Sequence, residues 1–158
     1  MDIIKLNRVL IALDYNPSAQ KVAEVGYSIA KTLGAECMLL HILSTPIIYT
    51  SVNYDPIMGF SGFEALENYQ LNSELLSKSA KKYLDKVKKH LEDSKIETIV
   101  KEGEFDQQIM ETTKNYKADM IVMGTHSHQW LEKILVGSTT ESIIQISQIP
   151  ILVVPTNK

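Results

Sequence analysis

The residue types and spacing that point to chemistry in this chain lie in Gly124-x2-Ser127-x9-Gly137-Ser138. Ser138-Thr139-Thr140-Glu141 has the S-x-x-E form of a capping box and so predicts a helix N-terminus. The first N–H groups of a helix lack intrahelical partners and the dipole is positive there, which suits phosphate or carboxylate. A glycine just before that end lets an anion approach the backbone closely. Upstream, the apolar run Met120 to Met123 predicts a buried parallel strand that stops at Gly124. The connection from Thr125 to Val136 is about twice the length usual between strand and helix, and it holds no proline or low-complexity tract. A cap alone would also explain Ser138, contributing about 1 kcal/mol to stability. The spacing back to Gly124 favours the ligand site.

Other reactive residue types have plainer readings. His126-x-His128 lacks cysteine pairs or a third ligand at recognisable spacing, so polar loop residues are favoured over a metal site. His41, on an apolar strand, is expected to be a hydrogen-bonded core histidine. Cys37, the single cysteine, sits among apolar neighbours and reads as a buried thiol, not a nucleophile. Lys78, Lys81, Lys82, Lys86, Lys88 and Lys89 are interrupted by Asp85, Glu92 and Asp93, the pattern of a solvated helix face. Lys133 is a candidate phosphate contact, weakened by Glu132 beside it, and Trp130 is a candidate clamp for the loop.

The elements that must position these groups follow from periodicity. Val9 to Leu13 predicts a strand ending in Asp14, a residue that suits either a turn or a ligand role. Asn16-Pro17 predicts the start of a helix whose stripe is Ala19, Val22, Ala23, Ile29, Ala30 and Leu33, closed by Gly34. Cys37 to Leu43 is a second strand. The segment 44–66, with two prolines, two glycines and several aromatics, reads as an irregular loop or lid. A long helix from near Glu67 to Leu91 carries Leu76, Ala80, Tyr83, Val87 and Leu91 on one stripe. Ile96 to Val100 is a short strand, and Phe105-Asp106 opens a helix with Asp106 as its cap and Phe105 and Met110 as a hydrophobic staple. The capped helix with Ile143, Ile144 and Ile146 leads to a last strand, Ile151 to Val154. Strands alternate with helices, so the class is α/β with a mostly parallel sheet and helices on both faces.

The chain has 158 residues, enough for one domain spanning 1–158, with 44–66 as an insertion in it. Its 44% hydrophobic and 22% charged content is that of a soluble globular protein, and a net charge of −3 argues against nucleic acid as a partner. The N-terminus lacks the pattern of a signal peptide, and no apolar run reaches the length of a membrane span. A cytoplasmic protein with no membrane partner is expected.

The Gly124, Ser127, Gly137 and Ser138 pattern resembles the nucleotide-binding signature of the universal stress protein family, G-x2-G-x9-G-S/T, with Ser127 replacing the second glycine. The resemblance extends to Asp14, LLH in the second strand, ADMIVMGT before the loop and IPILVVP at the end. It implies a Rossmann-like, open five-stranded parallel sheet in the order 3-2-1-4-5, and a homodimer formed through Ile151 to Val154. It implies a stress-response regulatory protein that binds an adenine nucleotide, ATP, ADP or AMP, and acts on a protein partner the sequence does not name. By the same resemblance, Ala12, Leu13 and Asp14 line the adenosine end, with Asp14 bonding base or ribose and Ile42 touching adenine. Met123 and Gly124 pass the ribose, and the phosphates meet the N–H groups of Ser127, Gly137, Ser138 and Thr139 and the Ser138 hydroxyl. Mg2+ or Mn2+ is expected to accompany them, held by phosphate oxygens and water, with no protein metal site. The motifs G-x4-G-K-S/T, S-G-G-x-D-S and H-x-G-H are absent, and no base pairs with a nucleophile, so no dedicated catalysis is implied. A slow ATP hydrolase and a dimeric interaction module without nucleotide are the alternatives.

Overall fold

Runs that are apolar at successive positions suit strands covered on both faces, and four such runs, with a more polar edge strand, form one parallel sheet here. The computed structural model describes residues 5–43, 72–125 and 137–156. Its elements run β1 (Arg8–Leu13), α1 (Ala19–Leu33), β2 (Glu36–Leu43), α2 (Asn72–His90), β3 (Glu97–Glu102), α3 (Phe105–Tyr116), β4 (Met120–Gly124), α4 (Ser138–Ile146) and β5 (Ile151–Val154). The sheet order is β3-β2-β1-β4-β5, with every pair parallel. The Rossmann-like α/β class and the strand order expected from the resemblance are both observed. The lid segment 44–66 and residues His126, Ser127, His128, Trp130, Glu132 and Lys133 lie outside the described residues.

Alternate residues of each strand enter separate cores. Val9, Ile11 and Leu13 pack with Leu39, Val122 and the buried stripes of α1 and α2, whereas Leu10, Leu40, Ile42, Ile121 and Met123 pack with Ile109 of α3 and Ile143 of α4. The α2 stripe buries Ala80, Tyr83, Leu84 and Val87, and leaves Lys78, Lys81, Lys82, Lys86 and Lys89 exposed, as a solvated face requires. Cys37 is buried, and desolvation pushes its thiol up to about 12, so it stays protonated and inert. Among the described residues, no helix is long and apolar enough to cross a membrane.

The expected start of α2 near Glu67 lies outside the described residues, whereas the starts of α1 and α3 differ from the sequence reading by two residues, each for a local reason. Before α1, the Asn16 side chain accepts from the Ser18 N–H and hydroxyl, and the Asn16 carbonyl accepts from Ala19 N–H at 2.8 Å. Pro17 thus sits in a turn that feeds the helix instead of in its first turn. In α3 the cap position is Glu104, and Asp106, already helical, accepts from Ser142 Oγ at 3.0 Å and ties α3 to α4. Phe105 is therefore the first helical residue, and the staple with Met110 is not formed as expected. The α1 stripe buries Gly26 where apolar periodicity suggested Leu33, which is 41% exposed.

Gly26 sets the distance between α1 and the sheet. A Cβ built there would lie 2.7 Å from Ile11 Cδ1, 2.9 Å from its Cγ1 and 3.1 Å from Val122 Cγ1. Gly26→Val is expected to lower unfolding free energy by about 2 kcal/mol through overpacking, despite removing a helical glycine. Urea unfolding of the two proteins measures this, and a more stable variant would show that the sheet yields at Ile11.

Candidate functional site

The crevice arises where β1 and β4 part. Their last register pair is Ile11↔Val122, although β1 continues to Leu13 and β4 to Gly124. The connection from β1 leads to α1 on one face, and α4, which follows β4, packs on the other. Such a switch in direction opens a cleft at the carboxyl ends of the strands. A cavity of ≈ 360 Å³ occupies it, within the range that holds a small-molecule ligand.

Of the residues singled out by sequence, Ala12, Leu13, Asp14, Ile42, Met123, Gly124, Gly137, Ser138 and Thr139 all line this cavity. Ser127 lies outside the described residues. Leu40, Ile42, Ile109 and Met123 form a buried apolar wall with the half-buried Phe105. Gly124, the start of α4 and Thr156 supply a polar part of the lining, and Leu13, Ala19 and Val22 add further apolar surface. A ligand with a large apolar part and a smaller polar or anionic one suits this lining.

The polar part is built differently from a capping box. Gly137 takes the cap position with φ −61° and ψ 153°, and its carbonyl accepts from Glu141 N–H at 2.9 Å. Ser138 is thus the first helical residue instead of the cap, and Glu141 stands at the fourth helical position, one place beyond the third where a capping box needs it. The N–H groups of Ser138, Thr139 and Thr140 belong to the first turn and have no intrahelical acceptor. Thr140 instead sends its hydroxyl to the Gly124 carbonyl at 3.0 Å, which pins the helix start to the end of β4. This leaves the Ser138 hydroxyl outside any cap, as a donor at the anion-binding end.

Asp14 fulfils the turn role: its Oδ1 accepts from Asn16 N–H at 3.0 Å, and the carboxylate also lines the cavity. Behind the lip, His41 is the hydrogen-bonded core histidine expected, with Nδ1 2.7 Å from the Leu13 carbonyl. Ser18, Ala19, Val22, Phe105, Ile109, Thr140 and Thr156 complete the lining and were not singled out by sequence. Thr156 accompanies a latch beyond β5, in which its N–H donates to Thr125 Oγ1 at 3.0 Å and Lys21 Nζ donates to the Pro155 carbonyl at 2.7 Å.

Among the described residues, no three His, Cys, Asp or Glu side chains converge to hold a metal ion. The site offers a cation few anionic ligands of its own, and a ligand's phosphates would have to supply most of them.

In comparison with known proteins, residues 5–155 match the model of the universal stress protein family. Universal stress protein MJ0531 of Methanocaldococcus jannaschii is 33% identical over 149 residues, covering 93% of this chain and 81% of that one. Universal stress protein MJ0577 of the same organism is 31% identical over 158 residues, covering 96% of each. Its solved structure superposes with a TM-score of 0.71 at 27% identity, over 98% of this chain and 99% of that one. A universal stress protein solved in complex with cAMP shares the fold, with a TM-score of 0.62 at 17% identity over 98% of this chain and all of that one.

Proposed function

The chain belongs to the universal stress protein family, and on that premise we propose that it is a regulatory protein that binds an adenine nucleotide between β1 and β4. One observation carries this reading: the strand tips and the helix start that resemble the family's nucleotide signature line a single cavity, largely apolar and bordered by the first turn of α4. The ligand in the cAMP complex belongs to the same chemical class.

Adenine lies against Leu40, Ile42, Ile109 and Met123, and Asp14 accepts from the base or ribose. Gly124 lets the ribose pass close to the backbone. The phosphates of ATP, ADP or AMP lie against the N–H groups of Ser127, Gly137, Ser138 and Thr139, with the Ser138 hydroxyl as a further donor. Mg2+ or Mn2+ rides on the phosphate oxygens, where it screens their charge. Occupancy regulates by changing binding to a protein partner, which requires the nucleotide to have different affinities for two states of the protein.

The protein acts as a homodimer through Ile151 to Val154. Among the described residues β5 is one of the two edge strands of the sheet, and Ile144 and Ile146 on the preceding helix are 49% and 50% exposed. A second copy covers both.

Calorimetric titration of Mg-ATP into nucleotide-stripped protein tests the central claim, with saturable binding of one nucleotide per chain expected. Failure to bind, in protein shown to be folded and nucleotide-free, overturns it in favour of an interaction module. Ser127→Gly is expected to bind ATP equally or more tightly, since glycine relieves any φ constraint in the loop. A large loss would identify the Ser127 hydroxyl as a phosphate donor.

A further inference from the structure

The tip of β1 is held from behind the site. Leu13, the last residue of β1, lies in register with His41 of β2, and Asp14 follows it into the cavity lining; each of the two offers a backbone carbonyl. Both carbonyls are met by side chains remote in sequence: His41 Nδ1 lies 2.7 Å from the Leu13 oxygen, and the Tyr83 hydroxyl donates to the Asp14 oxygen at 2.8 Å. Because a carbonyl only accepts, the proton of a neutral His41 is on Nδ1.

These two side chains are buried, at 2% and 1% exposed, and neither lines the cavity. Their rings form one cluster with Tyr15, with centroids 4.1 Å apart for Tyr15 and His41, 4.9 Å for Tyr15 and Tyr83, and 5.6 Å for His41 and Tyr83. Leucine and phenylalanine would fill the same volume without bringing polar atoms into a core. The polar heads of His41 and Tyr83 end on successive carbonyls of the segment that carries Asp14.

We infer that Tyr83 and His41 are positioning residues of the nucleotide site. Holding the Leu13 and Asp14 carbonyls from behind, they fix the tip of β1 and with it the Asp14 carboxylate at the adenosine end. This inference rests on the nucleotide reading above. Without the Tyr83 hydroxyl, the tip samples other conformations, and apparent affinity falls by the fraction of time it is misplaced.

Tyr83→Phe keeps the ring and removes the hydroxyl that donates to the Asp14 carbonyl. Calorimetry with Mg-ATP, adenosine and inorganic tripolyphosphate is expected to show ATP and adenosine weakened together by about fivefold, with tripolyphosphate unchanged. Val87→Ala, one turn along α2 in the same core, destabilises the fold and leaves all three ligands unaffected. Wild-type affinity for ATP in Tyr83→Phe, or an equal loss for tripolyphosphate, overturns the inference. Should Tyr83→Phe not fold, His41→Asn, which keeps an N–H donor on a shorter side chain, carries the same test. A wild-type protein that binds no ATP is a different result: it removes the nucleotide reading, and the inference falls with it.

Discussion

Gly137→Val is expected to lower ATP affinity by at least about 100-fold while leaving the fold intact, a loss of about 3 kcal/mol in binding. With φ −61° and ψ 153°, Gly137 has a backbone that any residue adopts, and a β-branched one readily. Conformational freedom therefore does not explain a glycine at this position; close approach of a phosphate, as proposed above, would. Valine would place two methyl groups beside the first N–H groups of α4, where phosphate oxygens should lie. As a cap, valine is poorer than glycine, at a cost of about 1 kcal/mol in stability, which thermal unfolding would register without loss of cooperativity. Adenosine, which lacks phosphate, should bind both proteins alike. Unchanged ATP affinity would place the phosphates elsewhere, and ATP turnover that survived the substitution would belong to another site. Gly137→Val and Tyr83→Phe thus test opposite ends of one ligand.

Most of the frame was legible because both sheet faces are covered. Val9 to Leu13, Cys37 to Leu43 and Ile151 to Val154 stand out as apolar runs, broken only at His41, for that reason. Burial at Gly26 was not legible, since a glycine carries no apolar signal and its role comes from Ile11 and Val122 across the interface. The cap of α4 was displaced by one residue because Thr140 spends its hydroxyl on the Gly124 carbonyl, a tertiary bond that no local pattern announces. Site residues on strand tips and on the α4 start were found through spacing and family resemblance. Phe105, Ile109 and Thr156 reach the same cavity from α3 and from beyond β5, and only the packing of those elements brings them there. The positioning role inferred for His41 was equally hidden. In the sequence it is one polar residue in an apolar strand, and its contact is with a carbonyl 28 positions away.

Acidification between about pH 6.5 and 4 should cost up to about 3 kcal/mol of stability through His41 alone. Burial holds its imidazole down to about 4, against the opposing effects of the Leu13 hydrogen bond and the Asp14 charge. The unfolded chain therefore binds this proton first as pH falls. The contribution is complete above the unfolded pKa and is lost progressively toward the folded one. Asp93 acts in a lower window: the Lys95 N–H, with Lys31 and Tyr27, holds its carboxyl down to about 2. Urea unfolding at pH 7, 5.5 and 4.5 should show the loss in the wild type. His41→Leu should be less stable at pH 7, because the Leu13 carbonyl loses its donor, yet flatter across the range. An equal slope in His41→Leu would assign the acid sensitivity to other groups. Saturating ATP should move the acid transition to lower pH, as any ligand bound only by the native state must. A transition unmoved by saturating ATP would show that the native state does not bind it.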